Sequence, residues 1–184
     1  MKLVRGLVVV PAVLLFLHLS ARAESAVYGT VGATNYGYAY NGNQNLIYSP
    51  DHFGVGVGAF YRFPIQSRFS AGLDARFSDT PSSFGGNNGF VSARFGFVPT
   101  LNPLRPYLQI GMGYVHTNIP GFATPFSPKS VTAAALGLAF GLDVRVSPTF
   151  DWRAIELGGG AGVNSSNSAG SASLSTGLVY HFRP

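Results

Sequence analysis

Apolar and polar positions alternate with a period of two along most of the chain. Between residues 69 and 79, Phe69, Ala71, Leu73, Ala75 and Phe77 share one parity, and Ser70, Gly72, Asp74, Arg76 and Ser78 share the other. Successive side chains of a strand point to opposite faces, so such a stretch is a two-faced β-strand. The pattern recurs and predicts eight strands, over about residues 26–36, 52–63, 68–78, 90–98, 106–116, 131–146, 151–162 and 171–182. Period alone does not decide which face meets the interior: a soluble barrel turns the apolar face inward and a membrane barrel turns it to lipid.

The connections supply the first constraint. Those after the first, third, fifth and seventh strands are long and rich in Gly, Asn, Ser and Pro, whereas those after the second, fourth and sixth are short. Long and short connections therefore fall at opposite ends of an up-and-down antiparallel sheet. Eight strands with short turns at one rim and long polar loops at the other form the pattern of an outer-membrane barrel with periplasmic turns.

The chemistry of the two faces supplies the second. Phe53, Val55, Val57, Ala59, Tyr61 and Phe63 share a face that begins and ends on aromatic rings, as does the face from Phe69 to Phe77. With Phe97, Tyr114, Tyr180 and Phe182 near the ends of other strands, these residues predict two aromatic girdles bounding an apolar band about 25 Å tall. The opposite face is built mostly of Gly, Ala and Ser and carries Arg62, Asp74, Arg76, Arg94, Asp143 and Arg145. An arginine facing lipid at mid-depth costs about 2–4 kcal/mol, whereas in a narrow lumen it can pair with a carboxylate. The expectation is an apolar face toward lipid and a lumen network of those six charges. It serves as a plug or, since arginine outnumbers aspartate in the set, as the lining of a weakly anion-preferring pore. Two strands leave questions open. The first places Val27, Val31 and Ala33 opposite Tyr28, Tyr36, Tyr38 and Tyr40, which does not fix its orientation; the seventh switches parity between Trp152 and Ile155, which predicts a bulge.

Composition strengthens this picture. Only 10% of the 184 residues are charged, against about 25% in a typical soluble domain, while 24 are glycine, 14% are aromatic and none is cysteine. The chain opens on a basic segment with Lys2 and Arg5, an apolar core and the small-x-small run Ala21-Arg22-Ala23, which predicts a signal peptide over 1–23 and a barrel domain over 24–184. Removing that segment leaves nine basic against seven acidic residues, a net charge of +2, with Lys129 as the sole lysine. No basic run that would track phosphates is present, so a nucleic-acid partner is excluded.

With its eight strands, its loop asymmetry, the closing run Ser173–Phe182 and the strand-turn-strand run Leu142–Leu157, the mature chain resembles the OmpA-like family of small outer-membrane β-barrel proteins. The resemblance implies an all-β, eight-stranded transmembrane barrel without a following peptidoglycan-binding domain. It also implies outer-membrane lipid and lipopolysaccharide as surroundings, and insertion machinery that reads an aromatic residue at the end of the last strand. Here that residue is Phe182, displaced from the terminus by Arg183 and Pro184.

Enzymes also occupy this scaffold, and acyl transfer requires a nucleophile, a base and a carboxylate in one place. His116 lies near the outer rim, but Asn118 stands where the His-x-Ser segment of the lipid A deacylases carries its serine. His52, His116 and His181 are scattered, which predicts no metal site. The glycine-rich runs 54–60 and 85–89 precede no helix that would cradle a phosphate, so no cofactor is expected. Tyr36, Tyr38, Tyr40 and Tyr48 with Asn41, Asn43 and Asn45, and Phe122 and Phe126 in the third long loop, make either a recognition surface or the upper girdle. The expected function is non-catalytic, in envelope integrity or in surface interaction with an unknown loop ligand. A small passive pore is the alternative, ahead of a lipid A acyl enzyme and a soluble lipocalin-type barrel.

Overall fold

A computed structural model describes residues 24–40, 47–48, 52–66, 68–82, 85–97, 103–118, 130–163 and 167–182. Its strands are β1 (Glu24–Tyr40), β2 (Ile47–Tyr48), β3 (His52–Gln66), β4 (Phe69–Thr80), β5 (Gly86–Phe97), β6 (Leu104–Asn118), β7 (Ser130–Arg145), β8 (Phe150–Gly162) and β9 (Asn167–Phe182). The two-residue β2 pairs with the outer end of β1, and the other eight form the wall. Each wall strand is antiparallel to the next, and β1 pairs with both β3 and β9, so the sheet closes without an edge.

Closure is staggered. The ladder that starts at Val27 passes through Ala59, Ala75, Val91, Met112, Leu136, Ala161 and Gly170 and returns to β1 at Gly37, ten residues farther along. Such a stagger tilts the strands by about 35–45° and leaves an interior wide enough only for side chains. Tilt also explains why β1, β5 and β9 extend beyond the alternating stretches at their outer ends: backbone pairing continues there after the hydrophobic pattern stops.

The apolar parity faces outward. Val57, Leu73, Val91, Ile110, Met112, Leu136, Leu138 and Leu178 are all exposed on the wall, and Asp74, Arg94 and Asp143 are buried inside. The orientation of β1 follows: Val27 and Val31 are outward and exposed, while Tyr28, Tyr36 and Tyr38 point into the barrel. Tyr28 and Tyr36 belong inside because their hydroxyls have polar partners there: Tyr28 donates to Asp74 Oδ1 at 2.8 Å and Tyr36 to the Gly86 carbonyl at 3.0 Å.

Interior aromatic rings need room on the facing strands, and glycine provides it. A Cβ on Gly137 would lie 2.6 Å from Phe90 Cδ1, and one on Gly160 would lie 2.4 Å from Phe90 Cζ. Phe90 thus reaches across from β5 onto a seat made by β7 and β8.

The parity switch in β8 is a bulge. Pairing with β9 shifts between Arg153 and Glu156, and pairing with β7 shifts between Leu142 and Asp143. Trp152 and Ile155 consequently both face outward, whereas Arg153 and Glu156 both face inward. A bulge in a membrane wall must satisfy its own backbone, because hydrocarbon offers no substitute partner. Thr176 does so on β9: its hydroxyl donates to the Arg153 carbonyl at 2.7 Å and accepts from Trp152 Nε1 at 3.1 Å.

Two stability predictions follow from the wall. Gly137→Val should destabilise the refolded protein by about 1–3 kcal/mol through overpacking against Phe90, read as a lowered urea midpoint in lipid vesicles. Thr176→Val, nearly the same in volume, should lose about 1–3 kcal/mol by leaving the Arg153 carbonyl unpaired. An unchanged midpoint would remove the role given to Thr176.

Candidate functional site

The polar chemistry of the described residues is concentrated in the lower and middle lumen, where every wall strand contributes. At the mouth on the side of the short connections, Arg62 on β3 donates through Nε to Glu24 Oε2 on β1 at 2.9 Å, and Arg105 on β6 donates to Asp151 Oδ2 on β8 at 3.0 Å. His181 of β9 stands between the two carboxylates, with Nδ1 2.6 Å from Glu24 Oε1 and Nε2 2.9 Å from Asp151 Oδ2. The contact of His181 with Glu24 therefore ties the last strand to the first beside the ladder that pairs them.

A second layer lies above the mouth. Asp143 on β7 accepts from Arg94 Nη2 at 2.7 Å and from Arg153 Nε at 2.9 Å. Glu156 accepts from Arg76 Nη1 at 2.9 Å, from Arg153 Nη1 at 3.2 Å and from the Tyr107 hydroxyl. Asp74 accepts from the Tyr28 hydroxyl and from Gln109 Nε2, both at 2.8 Å, and lies 3.5 Å from Arg94 Nη1. Aromatic faces cover the cations: the Arg94 guanidinium sits 3.6 Å from the Tyr107 ring centre, and that of Arg153 sits 4.1 Å from the Tyr28 ring centre. Among the described residues the lumen holds five arginines (62, 76, 94, 105 and 153) and five carboxylates (24, 74, 143, 151 and 156). The balance removes the excess of in-facing arginine that the sequence suggested.

Of the six charges expected in the lumen, Arg62, Asp74, Arg76, Arg94 and Asp143 line it. Arg145 does not. Its parity is that of Asp143, but it lies where β7 leaves the wall, is exposed, and donates its backbone N–H to the Pro103 carbonyl at 2.9 Å. The interior positions that sequence reasoning missed are Glu24, Arg105, Asp151, Arg153 and Glu156 together with Tyr28 and Tyr107, while Gln109 and His181 line the lumen as their place on the polar parity implies. The bulge was the signal for two of them, because the switched parity carries both Arg153 and Glu156 inward.

Above the ionic layers the lumen narrows to small residues around a cavity of about 60 Å³, lined by Arg76, Glu156, Ser78, Asn88, Ser173 and Ser175 among others. That volume admits only a few water molecules. Over it closes a buried apolar cluster of Tyr36, Phe90, Val115, Val131, Ala133 and Ala169 with its neighbours. The Tyr36 hydroxyl donates to the Gly86 carbonyl at 3.0 Å. Tyr36 and Tyr38 are thus interior wall residues, which corrects both readings of them, as a recognition surface and as the upper girdle. The side chains of Tyr40 and Tyr48 and residues Asn41, Asn43, Asn45, Phe122 and Phe126 lie outside the described residues.

On the outer wall, Phe63, Phe69, Phe97, Tyr180 and Phe182 gather near the end of the short connections, with Tyr61 one outward position above Phe63. Rings touch laterally there: Phe69 and Phe97 are 5.4 Å apart and Tyr180 and Phe182 are 5.2 Å apart. Phe150 and Trp152 also face outward near this end. Phe53, Phe77 and Tyr114 lie toward the outer ends of their strands. His116, also outward, has Nδ1 2.6 Å from Thr132 Oγ1. Among the described residues no group of three or more His, Asp or Glu side chains is arranged to hold a metal ion.

The chain matches the family model described as "Outer membrane protein beta-barrel domain" over residues 9–182. Its fold is similar to that of the N-terminal β-barrel domain of Pseudomonas aeruginosa OprF, with a TM-score of 0.51 at 16% identity, covering 83% of this chain and 97% of that one. Neisserial surface protein A is similar to the same degree, with a TM-score of 0.51 at 16% identity over 85% of this chain and 99% of that one. No curated protein matches.

Arg153 joins the two carboxylates at the centre of the network, so Arg153→Met should destabilise the barrel by about 3–5 kcal/mol by leaving Asp143 and Glu156 underpaired. Replacing Asp143 by Asn in that background should recover part of the loss. Additive losses in the double variant, measured by urea unfolding in vesicles, would deny the coupling.

Proposed function

From the premise that the chain belongs to the outer membrane protein β-barrel family, we propose that it is a non-catalytic barrel of the bacterial outer membrane. It serves envelope integrity or surface interaction through its outward loops and wall. The observation that carries this proposal is an interior closed twice: by a charge-balanced network in its lower half and by the Tyr36 cluster above. A barrel filled with its own paired side chains has no continuous water path, which turns function toward the outside. Interaction with the barrel-insertion machinery belongs to the same proposal, through the outward Tyr180 and Phe182 of the last strand. The partner of His116 is a threonine on the neighbouring strand, an arrangement that supports an interfacial role for this histidine over catalysis on lipid A.

The small cavity keeps the passive pore as the competing proposal, and ion conductance of the refolded mature chain in a planar bilayer separates the two. The wild type should be silent, and Asp74→Ala with Arg76→Ala should leak only when Tyr36→Ala opens the upper cluster as well. Steady wild-type openings would establish a pore.

A further inference from the structure

Four polar side chains form an unbroken row on the outside of the wall. Asp79 on β4 is in register with Asn87 on β5, Asn87 with His116 on β6, and His116 with Thr132 on β7. All four share the outward parity: Thr132 is exposed and the other three are half-buried. The row occupies the outer ends of these strands. One outward position below it lie Phe77 and Tyr114, so it begins where the aromatic band stops. At the outer ends of neighbouring strands the outward residues are apolar instead, with Phe53 70% exposed on β3 and Val163 61% exposed beside the end of β8. The polar row belongs to one side of the barrel, not to the rim as a whole.

Tyr114 adds a flat surface. A Cβ on Gly89 would lie 2.8 Å from Tyr114 Cε1, so the ring lies across the glycine, directly beneath Asn87 and His116. Side chains facing outward from a membrane wall meet lipid, and polar ones just above the aromatic band meet headgroups. Among the described residues this side offers no lysine or arginine at its outer end, and it carries one carboxylate. The Asp79 carboxylate repels phosphate. Carboxylate, amide, imidazole and hydroxyl groups supply both donors and acceptors, as sugar hydroxyls require, and an aromatic face beside them accepts the apolar face of a sugar ring. Three interstrand spacings make the row about 14 Å long, wide enough for two linked sugar rings.

Resting on the membrane placement proposed above, we infer that Asp79, Asn87, His116 and Thr132, over the Tyr114 ring, form a ledge that binds the sugar headgroup of an outer-leaflet glycolipid. His116 is fixed for this role because Thr132 Oγ1 holds its Nδ1 at 2.6 Å, which turns Nε2 to the opposite edge of the ring.

The test uses the mature chain refolded into nanodiscs of phosphatidylglycerol containing diglucosyl diacylglycerol. Native mass spectrometry then counts the lipids retained on the released barrel. The wild type should retain the glycolipid about tenfold over phosphatidylglycerol. Asn87→Ala with His116→Ala should lose that preference, Thr132→Val should weaken it, and Val91→Ala, lower on the same side, should keep it. Heat-modifiable migration on a gel reports whether each variant is folded. Equal retention of both lipids by the folded wild type, preference for phosphatidylglycerol, or an unchanged preference in the double variant would overturn the ledge alone. A wild-type chain that failed to enter nanodiscs would overturn the membrane placement and the ledge with it.

Discussion

Hydrocarbon supplies no hydrogen bonds, so every backbone polar group that enters it must be satisfied within the protein. The architecture follows from that constraint. Eight strands close through the pairing of β1 with β9, the stagger of the closing ladder sets the tilt, and the tilt sets how narrow the interior can be. The bulge in β8 carries its own remedy in the Thr176 hydroxyl, and the other register shift, between Pro64 and Gln66, lies at the very end of β3. A narrow interior in turn dictates its contents: glycine where an aromatic ring must fit, and charge only where a partner stands within reach.

Burying five arginines would be prohibitive if they were unpaired, because each loses its hydration in a space that admits little water. Here each arginine meets at least one carboxylate, and Asp74, Asp143 and Glu156 each meet two arginines. The network crosses the lumen from β4 and β5 to β7 and β8, so it joins strands that the ladder does not pair. Wall and filling are thus separate systems: the ladder closes the sheet, and the ion pairs hold its opposite sides together.

Much of this was legible in the alternation of residues. A period of two with rings at the ends of the apolar face is a direct imprint of an apolar band between two interfaces, and long and short connections locate the two rims. What the sequence concealed lies where parity stops being a guide. Arg153 and Glu156 differ in parity, and only the bulge turns both inward. Arg145 keeps the inward parity but is the last residue of β7, at the mouth, where parity no longer means enclosure. Glu24 lies ahead of the first stretch with a clear pattern. The β1 tyrosines were ambiguous because a ring with a hydroxyl suits both a lipid interface and a polar lumen; the choice is made by the partner, Asp74 for Tyr28 and the Gly86 carbonyl for Tyr36. The row from Asp79 to Thr132 was invisible for another reason: its members lie on four strands and come together only through register.

The account stands or falls on which face of the wall meets lipid, and the protein contains one tryptophan, Trp152, on the outer face near the periplasmic girdle. The most direct measurement is quenching of its fluorescence in the refolded protein by lipids brominated at different depths along the acyl chain, beside quenching by aqueous acrylamide. Strong quenching by bromines close to the glycerol end, weaker quenching by those at the bilayer midplane and little by acrylamide is the predicted result. Quenching by acrylamide with none by any brominated lipid would place Trp152 in water and contradict the outward orientation of the apolar face.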